Sequence, residues 1–220
     1  MTIDDTRQRE REVQMKAWNR LILLCAAGFG LPLVAAAAEL PKVDLARAAE
    51  ISGGRCALCH GPDGDSSSPL YPRLAGQHHQ YIAKQLGDFK SGRRKSDTMN
   101  GMAQDLTPEE MVALGVYFEQ KPTKPREARD AELAAVGRFV FHRGNEYSGV
   151  AACAGCHGDK GLGTEQLPRL AGQVPRYIEA QLKSFNTRAR TNDNEIMHSI
   201  ASKLSELEVK AVALYISTLD

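Results

Sequence analysis

Cysteine is scarce in this 220-residue chain, five in all, and four of the five fall in two tight clusters. None is left for disulfides, so no covalent framework of that kind shapes the fold. An excess of charge is missing too: 28 Lys and Arg stand against 27 Asp and Glu. Five of those basic and four of those acidic residues precede Glu39, which leaves 23 of each from there to the end. A balance so near zero gives no sign of a nucleic-acid surface or of a strong steering field. Alternation with period two is absent as well, so no segment reads as a strand and the expected class is all-α.

Long apolar runs number one. Leu21 to Ala38 begins Leu21-Ile22-Leu23-Leu24-Cys25 and ends Val34-Ala35-Ala36-Ala37-Ala38 ahead of Glu39. A basic flank, an apolar stretch and small residues at its end read as an export signal over 1–38, with the mature chain starting near Glu39. Asp4, Asp5, Glu10 and Glu12 are unusual ahead of such a run, whereas a start at Met15 gives the common opening Met-Lys-Ala-Trp-Asn-Arg. The run just reaches bilayer-spanning length, so retention as an anchor competes with cleavage; Gly28, Gly30 and Pro32 favour cleavage. Cys25 follows Leu24, where a lipoprotein site needs a small residue, and is read as leaving with the signal.

The remaining cysteines stand as Cys56-Ala57-Leu58-Cys59-His60 and Cys153-Ala154-Gly155-Cys156-His157. In C-x-x-C-H the thiols of Cys56 and Cys59, and of Cys153 and Cys156, can each add across a heme vinyl group. His60 and His157 then reach the iron. Thiols three apart share one face of a helical turn, so each motif predicts a short helix. A single C-x-x-C also suits a redox dithiol or half a zinc site. Two copies inside longer matching segments favour two covalently attached heme c groups.

The duplication extends well past the cysteines. Pro72-Arg73-Leu74-Ala75-Gly76-Gln77 returns as Pro168-Arg169-Leu170-Ala171-Gly172-Gln173, and Tyr81, Ile82, Gln85, Leu86 and Phe89 return as Tyr177, Ile178, Gln181, Leu182 and Phe185. Further on, Met99 meets Met197, Leu106 meets Leu204 and Tyr117 meets Tyr215. Two tandem domains are expected, over 39–120 and 130–220. Residues 121–129 form the linker, where Pro122 and Pro125 interrupt any helix. Asp44 to Gly54 and Asp130 to Arg143 read as opening helices, Gln80 to Phe89 and Tyr177 to Phe185 as middle ones. Thr107 and Ser205 are the expected N-caps of the closing helices.

A histidine-held iron leaves one axial position, and its occupant separates carrier from catalyst. The first half offers Met99, Met102 and Met111, the second only Met197. Met99 aligns with Met197, whereas Met102 and Met111 align with Ile200 and Val209 and read as packing residues. His78, His79, His142 and His198 have no matching histidine in the other half and read as surface, interface or structural groups.

On the doubled C-x-x-C-H, the doubled Pro-Arg-Leu-Ala-Gly-Gln and the paired methionines, the chain resembles the diheme cytochrome c4 family from about Val43 to its C-terminus. The resemblance implies two class I cytochrome c domains related by a pseudo-twofold axis, with heme propionates approaching across the interface. It also implies that the carbonyls of Pro72 and Pro168 orient His60 and His157, and that Arg73 and Arg169 lie near propionates. Its function would be single-electron transport in the periplasm, from a quinol-oxidising complex towards a terminal oxidase, with peripheral association at the membrane an option. A cytochrome subunit of a flavoprotein or quinoprotein dehydrogenase is the main alternative. A diheme peroxidase ranks lower, since paired methionines would close both irons. One departure from the repeat, the insertion Arg143 to Val150 ahead of Cys153, raises the expectation of unequal heme environments.

Overall fold

The computed structural model describes residues 40–220; the export segment expected over 1–38, with Met15 and Cys25, lies outside the described residues. Two helical halves follow one another. In the first, α1 (Leu45–Ile51) runs through a π-helical turn, Ser52–Cys56, into the short α2 (Ala57–His60); then come α3 (His79–Lys90), α4 (Asp97–Ala103) and α5 (Pro108–Glu119). The second comprises α6 (Ala131–Arg143), the short α7 (Ala154–His157), α8 (Pro175–Asn186), α9 (Ile196–Ala201) and α10 (Glu206–Thr218). Among the described residues the one β feature is an isolated antiparallel bridge between Asn145 and Val150, within the insertion of the second half.

Caps set the helix starts. Asp44 and Asp130 accept the backbone N–H of Arg47 and Leu133, each 2.9 Å away, at the heads of α1 and α6. Thr107 with Glu110, and Ser205 with Glu208, form reciprocal capping boxes at α5 and α10, each satisfying two otherwise orphaned N–H groups. All four starts match the expected positions.

Each half closes on its own core. Ala48, Ile82, Phe89, Leu114 and Phe118 cluster in the first; Val140, Phe141, Ile178, Phe185 and Val212 do so in the second. Phe118 and Phe141 are almost wholly buried, each contributing about 1.5–3 kcal/mol by removal from water. α6 crosses α10 at Gly137, where a Cβ would run into the Ala211 carbonyl, so only glycine permits that approach.

The halves meet through reciprocal contacts, and these define the pseudo-twofold axis. Gln77 Nε2 donates to the Arg169 carbonyl at 2.8 Å while its Oε1 accepts from the Arg169 N–H at 2.9 Å. Gln173 does the same to Arg73, at 2.9 and 2.7 Å. The linker is fastened as well: Arg126 donates its backbone N–H to Ser217 and a guanidinium N–H to the Ser66 carbonyl, both at 2.8 Å.

Asp88 adds an asymmetric tie. Its buried carboxylate accepts from Lys84 at 2.5 Å, Arg93 at 2.9 Å and, across the interface, Asn192 at 2.6 Å. Burial alone would raise its pKa, yet Lys84, Asn192 and Arg93 outweigh burial and hold it below the ordinary 3.8. Its contribution to stability is therefore present above that value and lost as pH falls through the lower folded-state pKa. Asp88→Asn should lower the urea midpoint at pH 7. The gap should narrow as pH falls below 3.8 and the carboxylate takes up its proton; a gap that stays constant as pH falls would contradict this.

Candidate heme sites

Each C-x-x-C-H motif forms a helical turn, as its spacing requires. The helices end at Gly61 and Gly158, with φ of 81° and 79°, a left-handed conformation that glycine adopts without strain. Cys56 and Cys153 pack against the cores of their halves. Their burial raises both thiol pKa values, that of Cys153 to about 11. All four motif cysteines are free of disulfides.

Both histidines are buried, 6% and 7% exposed. His60 Nδ1 lies 2.9 Å from the Pro72 carbonyl and His157 Nδ1 lies 3.1 Å from that of Pro168. A carbonyl only accepts, so Nδ1 carries the hydrogen in each ring and Nε2 keeps its lone pair. Burial pushes both pKa values down, partly offset by these same bonds. The rings are thus neutral, the form in which imidazole binds a metal.

Each residue of the repeated hexapeptide has its own place in this arrangement. Its proline supplies that carbonyl. Leu74 and Leu170 donate N–H, each at 2.7 Å, to Gly64 and Gly161 in the loop after the C-x-x-C-H. Ala75 and Ala171 are buried. Gly76 and Gly172 share φ 68°, and a Cβ would strike Thr123 or, from the other half, Arg73. Its glutamine forms the interdomain clamp. Arg73 is nearly buried, bonded to Asp65 at 2.8 Å and to the Lys124 carbonyl at 2.5 Å. Arg169 reaches Thr123 at 3.2 Å, and its buried Nε has no partner among the described residues.

Met99 lies on α4 and Met197 on α9, each packed against the core that also holds the first cysteine of its half. Met111 is buried, as expected of a packing residue. Met102 departs from that expectation: it is 40% exposed, and its backbone carbonyl accepts from Arg55 at 3.2 Å. A free imidazole Nε2, two thiols and a methionine sulfur in each half are a donor set suited to a covalently held heme.

The cytochrome c family model matches twice, over residues 45–140 and 141–220. A cytochrome c4 of Thiocapsa roseopersicina is 42% identical over 188 residues, 83% of this chain and 97% of the relative. The chain belongs to the cytochrome c4 family. The crystal structure of reduced recombinant cytochrome c4 from Pseudomonas stutzeri superposes with a TM-score of 0.77 at 34% identity, over 81% of this chain and 100% of that one. A "thiosulfate dehydrogenase electron acceptor" of Thiomonas intermedia is 37% identical over 175 residues, 77% of this chain and 81% of that one. The protein is a diheme electron carrier with two covalent heme c groups in an all-α fold of two class I domains related by a pseudo-twofold axis.

The other histidines take structural positions. His78 bonds the Leu162 carbonyl of the other half at 2.8 Å, His79 bonds Glu119 at 2.6 Å, and His142 bonds Tyr215 at 2.9 Å. His198 is the most informative. Its Nδ1 meets the Phe185 carbonyl at 3.0 Å, while Asn100, its counterpart in the alignment, donates to the Phe89 carbonyl at 2.5 Å and to that of Arg94 at 3.1 Å. Different side chains thus perform one task beside Met197 and Met99, tying the methionine helix to the middle helix. Sequence comparison missed this because it looked for identity. Asn100→Ala should cost about 1–2 kcal/mol of stability and broaden absorbance of the first heme site only, measured by thermal melts and visible spectra. Wild-type melting would contradict this.

Proposed function

We propose that this chain is a periplasmic shuttle for single electrons, taking them from a quinol-oxidising complex towards a terminal oxidase. The residues assign themselves by half. Cys56 and Cys59, then Cys153 and Cys156, form the thioethers. His60 with Met99, and His157 with Met197, would hold the two irons. The domains span 39–120 and 130–220 about the linker 121–129, with export by the segment 1–38.

When bound, each heme c supplies one iron that accepts and releases a single electron. The chain does the rest. Pro72 and Pro168 fix the tautomer and plane of the two imidazoles, so that Nε2 presents a lone pair in a constant direction. Thioether sulfur favours the ferrous state, which raises the potential above that of a bis-histidine site. With an imidazole and a thioether sulfur both available to hold the iron, each half would leave no position for a substrate, and this reading makes the chain a carrier and not an enzyme. Arg73 and Arg169 stand beside the proline carbonyls in the same motif, suited by their forked donors to heme carboxylates.

The observation that carries this reading is the equivalence of Met99 and Met197, each on a short helix packed into the core that holds its half's cysteine. The relative named as a thiosulfate dehydrogenase electron acceptor favours a second reading of the donor, in which a dehydrogenase loads the same carrier. Reduction rates with a quinol-oxidising complex and with a thiosulfate dehydrogenase separate the two. For the ligands, Met99→Ala and Met197→Ala should each remove roughly half of the weak long-wavelength ferric band and lower one midpoint. Met102→Ala should do neither. The reverse pattern would overturn the assignment in the first half.

A further inference from the structure

The head of α3 carries two histidines, His78 and His79, where the second half has Val174 and Pro175. α5 passes them at Gly115, where a Cβ would run into the backbone of His79, and one turn further on it presents Glu119. The Glu119 carboxylate meets His79 Nδ1 at 2.6 Å and His78 Nδ1 at 3.4 Å. A carboxylate only accepts, so His79 donates from Nδ1. His78 offers its other nitrogen to the second half: Nε2 lies 2.8 Å from the Leu162 carbonyl. That carbonyl also only accepts, so Nε2 carries the hydrogen. In the neutral ring, Nδ1 then faces Glu119 lone pair to lone pair. One added proton makes Nδ1 a donor to Glu119 and leaves the Leu162 bond in place. His78 is 25% exposed, enough for solvent protons to reach it.

The Leu162 carbonyl and the Gly163 N–H belong to one peptide group, and Gly163 donates to the His157 carbonyl at 2.8 Å. A single peptide group therefore links the imidazole of His78 to the backbone of a heme-binding histidine. The same glycine, at φ 72°, is pressed against the group that orients His157: a Cβ there would strike the Leu167 and Pro168 carbonyls. Hydrogen bonds in series polarise one another, so a proton on His78 strengthens the Gly163 bond as well as its own. The added positive charge also favours the ferrous iron, which is the less positive state.

The relay runs one way. The backbones at the two positions are equivalent, since His78 and Val174 each donate N–H to the preceding glutamine, at 3.1 and 2.9 Å. Val174 is buried and has no side-chain donor. Ser66 stands where Gly163 does, two residues past the loop glycine, and gives its hydroxyl to the Cys59 carbonyl at 3.2 Å. Few charged groups surround His78. Glu119 on α5 is the carboxylate within ion-pair reach, and Asp159 of the second half's loop faces His142 at 3.9 Å. Lys160 forms no ion pair with Glu119 among the described residues.

We propose that His78 is a positioning residue of the first half that sets the potential of the second iron according to its own protonation. As the electron arrives, the only bond change is that a solvent proton binds Nδ1. By reciprocity, a reduced second iron holds that proton more tightly. This deepens the carrier reading and rests on it.

Two measurements on the heme-loaded protein test it, with midpoints assigned to halves by the Met99→Ala and Met197→Ala shifts. The first is spectroelectrochemical titration between about pH 5 and pH 8, the histidine range. At fixed potential the ferric-to-ferrous ratio of the second half should rise about threefold with rising pH, equivalent to about 28 mV for one electron. The first half should move less. The second is nuclear magnetic resonance of the ferrous protein, in which the Gly163 amide should shift together with the His78 ring. His78→Gln, which can donate to Leu162 without titrating, should flatten both responses, whereas His79→Gln should leave both in place. If His78→Gln does not mature, Glu119→Gln decides, because loss of the carboxylate should displace the step towards acid pH. A Gly163 amide indifferent to pH, a step that persists in His78→Gln or vanishes in His79→Gln, or one unmoved by Glu119→Gln would overturn the proposal. The long-wavelength ferric band should persist in the His78, His79 and Glu119 variants, which keeps failure here distinct from failure of the axial-ligand assignment.

Discussion

Two hydrogen bonds, from the imidazoles of His60 and His157 to the carbonyls of Pro72 and Pro168, organise the rest of the molecule. Each couples the C-x-x-C-H helix to the start of the repeated hexapeptide, and so joins the metal-binding side to the segment that builds the interdomain clamp. A change at the imidazole has to be accommodated by a loop already pinned by Leu74 or Leu170, by a left-handed glycine and by a glutamine reaching into the other half. Iron ligation and interdomain contact are thus consecutive properties of one short stretch of chain.

The junction of the halves also holds buried charge. Arg73, Arg94 and Arg190 are all buried there, with the Asp65 carboxylate on Arg73 and the Asp88 carboxylate tied to Asn192 across the interface. Folding and heme attachment are linked, as binding and folding are linked wherever a site is poorly formed without its occupant.

The fold was legible in the sequence where local physics decides it. Asp44, Thr107, Asp130 and Ser205 mark helix starts because a side-chain oxygen must meet exposed N–H groups. The two C-x-x-C-H motifs announce the heme sites because thioether chemistry requires that spacing. Less was legible at the interface. Gln77 and Gln173 were visible as repeated residues, yet their partners lie 92 to 100 positions away, and no local pattern encodes such a pairing. Arg94 and Arg190 keep the 96-residue offset of the hexapeptide and could have been found by extending the repeat past Phe89 and Phe185. Asn100 and His198 could not, since different side chains meet equivalent carbonyls. Met102 shows the opposite error, an apolar residue assigned to packing that stands substantially in solvent.

In the proposed carrier, an imidazole and a thioether sulfur would hold the iron of each half. Electron paramagnetic resonance of the resting ferric protein, with and without cyanide, tests it most directly. Two low-spin signals, slow to respond to cyanide, are the expected result. A high-spin signal from either half, or rapid cyanide binding at rest, would contradict the account.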